Sequence, residues 1–297
     1  MASRSAVDKI YKSLNEEQQD IIAQKTLDGR HTAVKWLRTF RKLALLDKLG
    51  DSYRADQSYM WKIVGAITVG MISFFAAMGS ENYFIFIVTA ACIGAIIKVL
   101  YDRKKIKKLD LSNHLRLFLM PLLTILREDV SKNKRLSIQA TLKEADSEEY
   151  KIKEIPFEGK GYPKINELHY KIPRIILSTT LIDNTALLLT TTDFVRKRNI
   201  TKKNPRGKIK YKTKFKVKQV VIVKLQFKKS IYQLKEDISI PENIIFAEND
   251  EAFIFKAKVA EVARDVEHCM KPNKVLKAVG SIYKLVKPIG KEVEGVE

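Results

Sequence analysis

The sequence predicts an α+β membrane protein: a two-helix transmembrane hairpin, a mainly antiparallel β domain on the cytoplasmic side, and flanking amphipathic helices. Three observations predict it. Two apolar segments, Ile63 to Gly79 and Tyr83 to Leu100, are separated only by Ser80, Glu81 and Asn82. From Leu136 onward the hydrophobic period changes from helical to two. Between Lys208 and Lys218 lysine stands at every second position. The expected organisation is interfacial helices in residues 1–60, the hairpin in 61–101, a juxtamembrane helix in 102–132, a basic β domain in 133–248, and C-terminal helices and tail in 249–297.

Each apolar segment approaches the length that crosses a hydrocarbon core of about 30 Å as a helix. Trp61, Tyr83 and Tyr101 stand at segment ends, where amphipathic rings favour the water–lipid interface. Lys98 interrupts the second segment within one turn of its end, close enough to snorkel. Ala66 with Gly70, Ser73 with Ala77, Ala90 with Gly94 and Ala91 with Ala95 place small residues at four-residue spacing, a face for helix packing or homo-oligomerisation. The same pattern fits a buried helical hairpin in a large soluble core. Lys35, Arg38, Arg41, Lys42, Lys48, Arg54 and Lys62 precede the segments, and Arg103, Lys104, Lys105, Lys107 and Lys108 follow them. Glu81 is the one charge in the link, so the positive-inside rule places both termini in the cytoplasm, on an inner membrane.

Before the hairpin, Ile10, Leu14, Ile21 and Ile22 predict helix over residues 1–28. His31 to Leu49 is a second helix, with Val34, Trp36, Leu37, Phe40 and Leu45 near one side and basic residues around it. That composition fits a helix lying on an anionic leaflet and equally one packed on the protein's own domain. After the hairpin, Leu109 to Val130 is a core or interfacial helix that Pro121 kinks or restarts.

Leu136, Ile138, Ala140 and Leu142 alternate with polar residues as a half-buried strand, and a loop from Glu144 to Pro163 follows. Ile175 to Ile182 and Thr185 to Val195 are rich in β-branched residues and flank Asp183-Asn184, which predicts a hairpin. Arg196 to Gly207 reads as a basic loop, and Lys208 to Phe227 as a strand. Ile244 to Ala247 is a last strand. Asn249 or Asp250 then caps a helix bearing Phe255, Val259, Val262 and Val266, which Pro272 ends. Val275, Val279, Ile282 and Val286 stripe a final helix, and Glu292, Glu294 and Glu297 lie in a frayed tail.

The chain has 297 residues and a formal net charge of +21. Fifteen Lys or Arg and no Asp or Glu lie between Arg196 and Lys229. The candidate anion- or partner-binding residues are Arg196, Lys197, Arg198, Lys202, Lys203, Lys208, Lys210, Lys212, Lys214, Lys216 and Lys218. In a strand the alternate lysines share one face, and Tyr211 and Phe215 face the core. The bland reading is a solvated or aggregation-resistant edge. The functional reading is a non-catalytic scaffold or adaptor docking on anionic lipid headgroups or an acidic protein. A membrane-tethered nucleic-acid-binding protein is the alternative, although rings aimed at the core argue against a stacking platform. A subunit of an oligomeric channel or transport complex is a third.

No phosphate-cradling glycine loop, nucleophile elbow or paired-histidine helix motif is present, so neither enzyme activity nor a cofactor is expected. Glu148 with Glu149 and the lone His169 read as solvated and structural. Cys92 and Cys269 lie far apart and should not pair, and no Cys/His spacing suits a metal. Asn199-Ile200-Thr201 is a glycosylation sequon that the expected topology leaves unmodified.

Overall fold

A computed structural model describes residues 4–56, 58–78, 84–236 and 239–289. The chain forms two compact units: Met1–Ala23 with Lys42–Asp110, and Gln24–Arg41 with Leu111–Glu297. In order, the elements are α1 (Arg4–Lys12), α2 (Glu16–Gln24), β1 (Thr26–Thr32), α3 (Ala33–Ala55), α4 (Ser58–Met78), α5 (Phe84–Lys108) and α6 (Met120–Leu126). There follow β2 (Arg135–Thr141), β3 (Lys151–Ile155), β4 (Lys164–Thr180), β5 (Ala186–Lys203), β6 (Ile209–Lys228), β7 (Tyr232–Leu234), β8 (Ile244–Glu248), β9 (Ala252–Ala263), α7 (Pro272–Tyr283) and β10 (Val286–Pro288).

The second unit is built on one antiparallel sheet in the order β1-β2-β4-β5-β6-β9-β8, with β3 paired to β4. Alternation sorts the side chains. Leu136 and Ile138, Leu177, Leu187 and Leu189, Val221, Val223 and Leu225, and Phe255 and Ala257 face inward and are buried. Three pieces cover that face. Trp36 on α3 is fully buried and donates its indole N–H to Leu136 O at 3.1 Å, with Phe40 stacked on it. A π-helical turn, Leu115–Leu119, leads into α6, whose Leu122 and Leu126 lie by Leu187 and Leu189. Pro121 sits one residue into α6, directly after the π-helical turn, and helical backbone runs on through it. α7 packs on β6 and β9 through Val275, Ala278 and Ile282.

The predicted hairpin at Asp183-Asn184 is the β4–β5 turn. Asp183 Oδ1 accepts from Thr185 N at 2.9 Å, and Asn184 adopts φ 66°, which asparagine tolerates better than most residues. Both strands are longer than expected. β5 continues through Arg196 to Lys203, so the expected basic loop is strand, and only Asn204 to Gly207 turn (Gly207 φ 80°). Residues 252–263, expected as a helix, form β9. Phe253, Phe255, Ala257 and Val259 alternate, and the ladder to β6 takes the backbone hydrogen bonds a helix would have used. Pro272 begins α7 rather than ending a helix, Val286 belongs to β10, and β3 interrupts the loop expected over 144–163. Residues 26–32, expected as helix through 28 and again from His31, form β1, whose ladder to β2 takes their backbone bonds; the helix that follows, α3, packs on its own domain at Trp36 and Phe40, while Val34 and Leu45 are exposed.

In the first unit α4 and α5 pack together, with Gly70 of α4 facing Cys92. Their apolar side chains are largely exposed, among them Trp61, Ile72, Phe75, Ile93 and Ile97. The two-helix transmembrane hairpin is not supported. Among the described residues, only Ser58–Ala76 is long and apolar enough to cross a membrane. The second helix differs because it runs without a break into Asp102, Arg103, Lys104 and Lys105. From Ile87 to Lys108 every stretch of 18 residues holds at least four charges, Lys98, Asp102, Arg103 and Lys104 among them. The link Ser80, Glu81 and Asn82, Tyr83, and the tail glutamates lie outside the described residues.

Candidate anion-binding face

β5 pairs with β6 along its whole length, from Ala186↔Gln226 to Lys203↔Ile209. Directly paired residues share a face, so the register fixes which charges meet. Lys210 stands across from Lys202, Lys214 from Arg198, and Lys216 from Arg196. Lys212 and Lys218 lie on the same face, opposite Ile200 and Phe194. All five alternate lysines of β6 are exposed. Eight of the eleven candidates therefore form one two-stranded ladder of positive charge. The other three do not join it. Lys197 is on the opposite face, bonded to Asp146 at 2.8 Å and lying over the Phe215 ring. Lys203 is also on that face, across from Ile209, and Lys208 belongs to the turn.

One carboxylate reaches the ladder from β4. Glu167 pairs with the Arg198 guanidinium, lies 3.8 Å from Arg196 and is 2.8 Å from His169 Nε2. Burial pushes its carboxyl up, but the two arginines outweigh that and hold it below its ordinary value. Glu167 thus offsets part of the arginine charge and leaves the β6 lysines unopposed.

β9 stops at Ala263, across from Val217, so residues 209–216 of β6 have β5 on one side only. Beside this open edge is a hollow of about 850 Å³ lined by Arg196, Arg198, Lys212, Lys214, Lys216 and Arg264. The same overhang corrects the expectation for the aromatics. Phe215 is half-buried against the cluster of Tyr170, Val195 and Val217, but Tyr211, beyond the reach of that core, is 81% exposed.

Sequence reasoning missed Glu167 and Arg264 and read His169 only as structural. The alternation of Arg196, Arg198 and Lys202 was a readable strand signal for β5, whereas the arrival of Glu167 depends on the β4 register and had no local sign.

Two other clusters of reactive residue types occur. Ser112 Oγ is 2.9 Å from His114 Nδ1, and His114 Nε2 is 3.3 Å from Asp193 Oδ2. Yet Arg174 Nε binds the same carboxylate oxygen at 2.7 Å, and Gln219 Nε2 is 2.8 Å from the same imidazole nitrogen. That arrangement fixes the ring rather than freeing it to carry a proton. In the first unit Asp47, Asp51 and Asp110 converge, but Arg54 takes the place of a cation there, bonding Asp51 at 2.5 Å and Asp110 at 2.5 and 2.6 Å.

No protein-family model matches this chain, and no curated protein or solved structure does.

Proposed function

We propose that this is a membrane-seated, non-catalytic docking protein whose basic sheet face binds an anionic surface, in the first place phospholipid headgroups. The observation that carries this reading is the register of β5 and β6. Three directly opposed like-charge pairs (Lys210 with Lys202, Lys214 with Arg198, Lys216 with Arg196) each oppose folding by roughly 0.2–1 kcal/mol. Edge protection needs far less charge than this. A surface supplying the missing negative charge relieves that repulsion, and each Lys or Arg beside an anionic leaflet contributes roughly 1 kcal/mol.

The exposed apolar side chains of α4, the one described helix long and apolar enough to cross a membrane, support a seat in the lipid. Arg54 before α4 and Lys62 in its second turn favour the cytoplasmic side for that end of the helix.

A polarity-sensitive fluorophore on Lys212→Cys, with Cys92 and Cys269 replaced by Ser, tests the docking. The full chain is reconstituted in nanodiscs of phosphatidylcholine with or without phosphatidylserine. A blue shift confined to the anionic discs and reversed by salt is expected; identical emission in both overturns lipid docking and leaves an acidic protein as partner. Nucleic acid is the second reading, favoured by the exposed ring of Tyr211, which lies on the face opposite the ladder together with Lys203. In that case single-stranded DNA competes with the anionic discs, and Tyr211→Ala weakens it.

A further inference from the structure

The same outer face carries a second positive hollow, toward the β1 side of the sheet and away from the lysine ladder. Its volume is about 490 Å³. Five strands build it, and their registers define a row: Arg30 on β1 pairs with Ser137 on β2, Ser137 with Ser178 on β4, Ser178 with Leu188 on β5, and Leu188 with Lys224 on β6. Arg135 and Lys134 line it as well, as does Thr180. Arg30 and Lys224 are four strand spacings apart, about 19 Å at about 4.8 Å per strand, and both side chains line the one hollow.

The chemistry of the lining is selective. Four cations surround the hydroxyls of Ser137 and Ser178, and no carboxylate lines the hollow. Among the described residues, none of Arg30, Lys134, Arg135 and Lys224 makes an ion pair. The nearest acid in the β1 pattern, Asp28, accepts a hydrogen bond from Gln139 at 3.2 Å. Lys224 is itself opposed by Lys256 across β9, a further like-charge pair with no internal relief. Guanidinium and ammonium groups beside hydroxyls suit phosphate oxygens, which accept several charge-assisted hydrogen bonds at once. The lining has no aromatic ring on which a nucleobase could stack.

We infer that this hollow, between Arg30 and Arg135 on one side and Lys224 on the other, is a binding site for an oligophosphate or a polyphosphorylated polyol, free in solution or as a lipid headgroup. The spread of charge favours a ligand with two or more phosphate groups over a single phosphate. This site does not depend on lipid docking by the lysine ladder, since the two share no residue.

Calorimetric titration of the full chain with inorganic triphosphate tests it, alongside Arg135→Gln, Lys224→Gln and, as a control from the ladder, Lys212→Gln. Saturable binding is expected, weakened about tenfold by each of the first two substitutions and little by the third. The substituted side chains are exposed or half-exposed, and circular dichroism verifies that each variant folds. Absence of saturable binding, or equal weakening by Lys212→Gln, overturns the site. Displacement of triphosphate by vesicles bearing a phosphorylated inositol headgroup identifies the ligand as lipid-borne; failure of those vesicles to displace it identifies a free one.

Discussion

Arg174 and Asp193 form an ion pair 2.7 Å long inside the sheet unit, with each side chain only 2% exposed. Arg174 is the extra residue at the irregularity in β4 between Pro173 and Ile175, and it also donates to Lys143 O at 2.6 Å. His114 and Gln219 extend the network to the backbone of His268 and Met270. Removing one partner leaves the other charge buried and unpaired. Arg174→Met is therefore expected to cost about 3–5 kcal/mol in urea unfolding.

The same pair makes stability depend on acid. Burial is the strongest influence on Asp193 and pushes its carboxyl up, but His114 and Arg174 together hold it below the ordinary value. A depressed carboxyl contributes stability above its unfolded value, about pH 4, and loses it as pH falls through the folded value. The stability difference between wild type and Asp193→Asn, measured by denaturant unfolding, should be largest at neutral pH and shrink below about pH 4.

Asp183 ties the β4–β5 turn to the C-terminal elements by accepting from Tyr232 Oη at 2.9 Å and Tyr283 Oη at 2.7 Å. Bonds to a charged group contribute about 1.5–3 kcal/mol each. Tyr232→Phe and Tyr283→Phe should each destabilise by that order. The double variant should lose a different amount from the sum, because both hydroxyls share one oxygen.

Gly29 on β1 lies against the Trp36 indole, and a Cβ built there would stand 3.0 Å from the ring. Gly29→Ala is expected to displace Trp36, weaken its bond to Leu136 O and cost about 1–3 kcal/mol. Tryptophan fluorescence and chemical unfolding read both effects. Retained emission with unchanged stability would show that the ring is not confined there.

Burial pushes the Cys269 thiol up to about 12, so it carries little thiolate at neutral pH. It should resist a thiol reagent in the native protein and react once urea unfolds the chain.

What was legible in the sequence is what local chemistry dictates. Asp183-Asn184 marks its turn because those side chains tolerate and bond a tight backbone, and Pro121 marks an irregularity because its ring and missing N–H disturb the preceding helical turn, which here is π-helical. The lysine alternation marks a charged face because period two is the strand's own geometry. β9 was misread because Phe255, Val259, Val262 and Val266 also satisfy a helical stripe, and only pairing to β6 breaks that tie. The extent of β5, the exposure of Tyr211 and the arrival of Glu167 depend on neighbouring strands that no local window contains. The hairpin expectation failed where apolarity was read segment by segment, while the second helix continues into its charged end.

On the proposed reading, the β5–β6 ladder keeps like charges opposed because an anionic partner supplies the missing negative charge. One variant, Lys210→Gln with Lys214→Gln and Lys216→Gln, tests it through two readings on the same protein: the urea midpoint and the salt-sensitive association with phosphatidylserine-containing nanodiscs. The account predicts a higher midpoint, because three repulsive pairs are gone, together with loss of the association. An unchanged or lower midpoint with the association intact would contradict it.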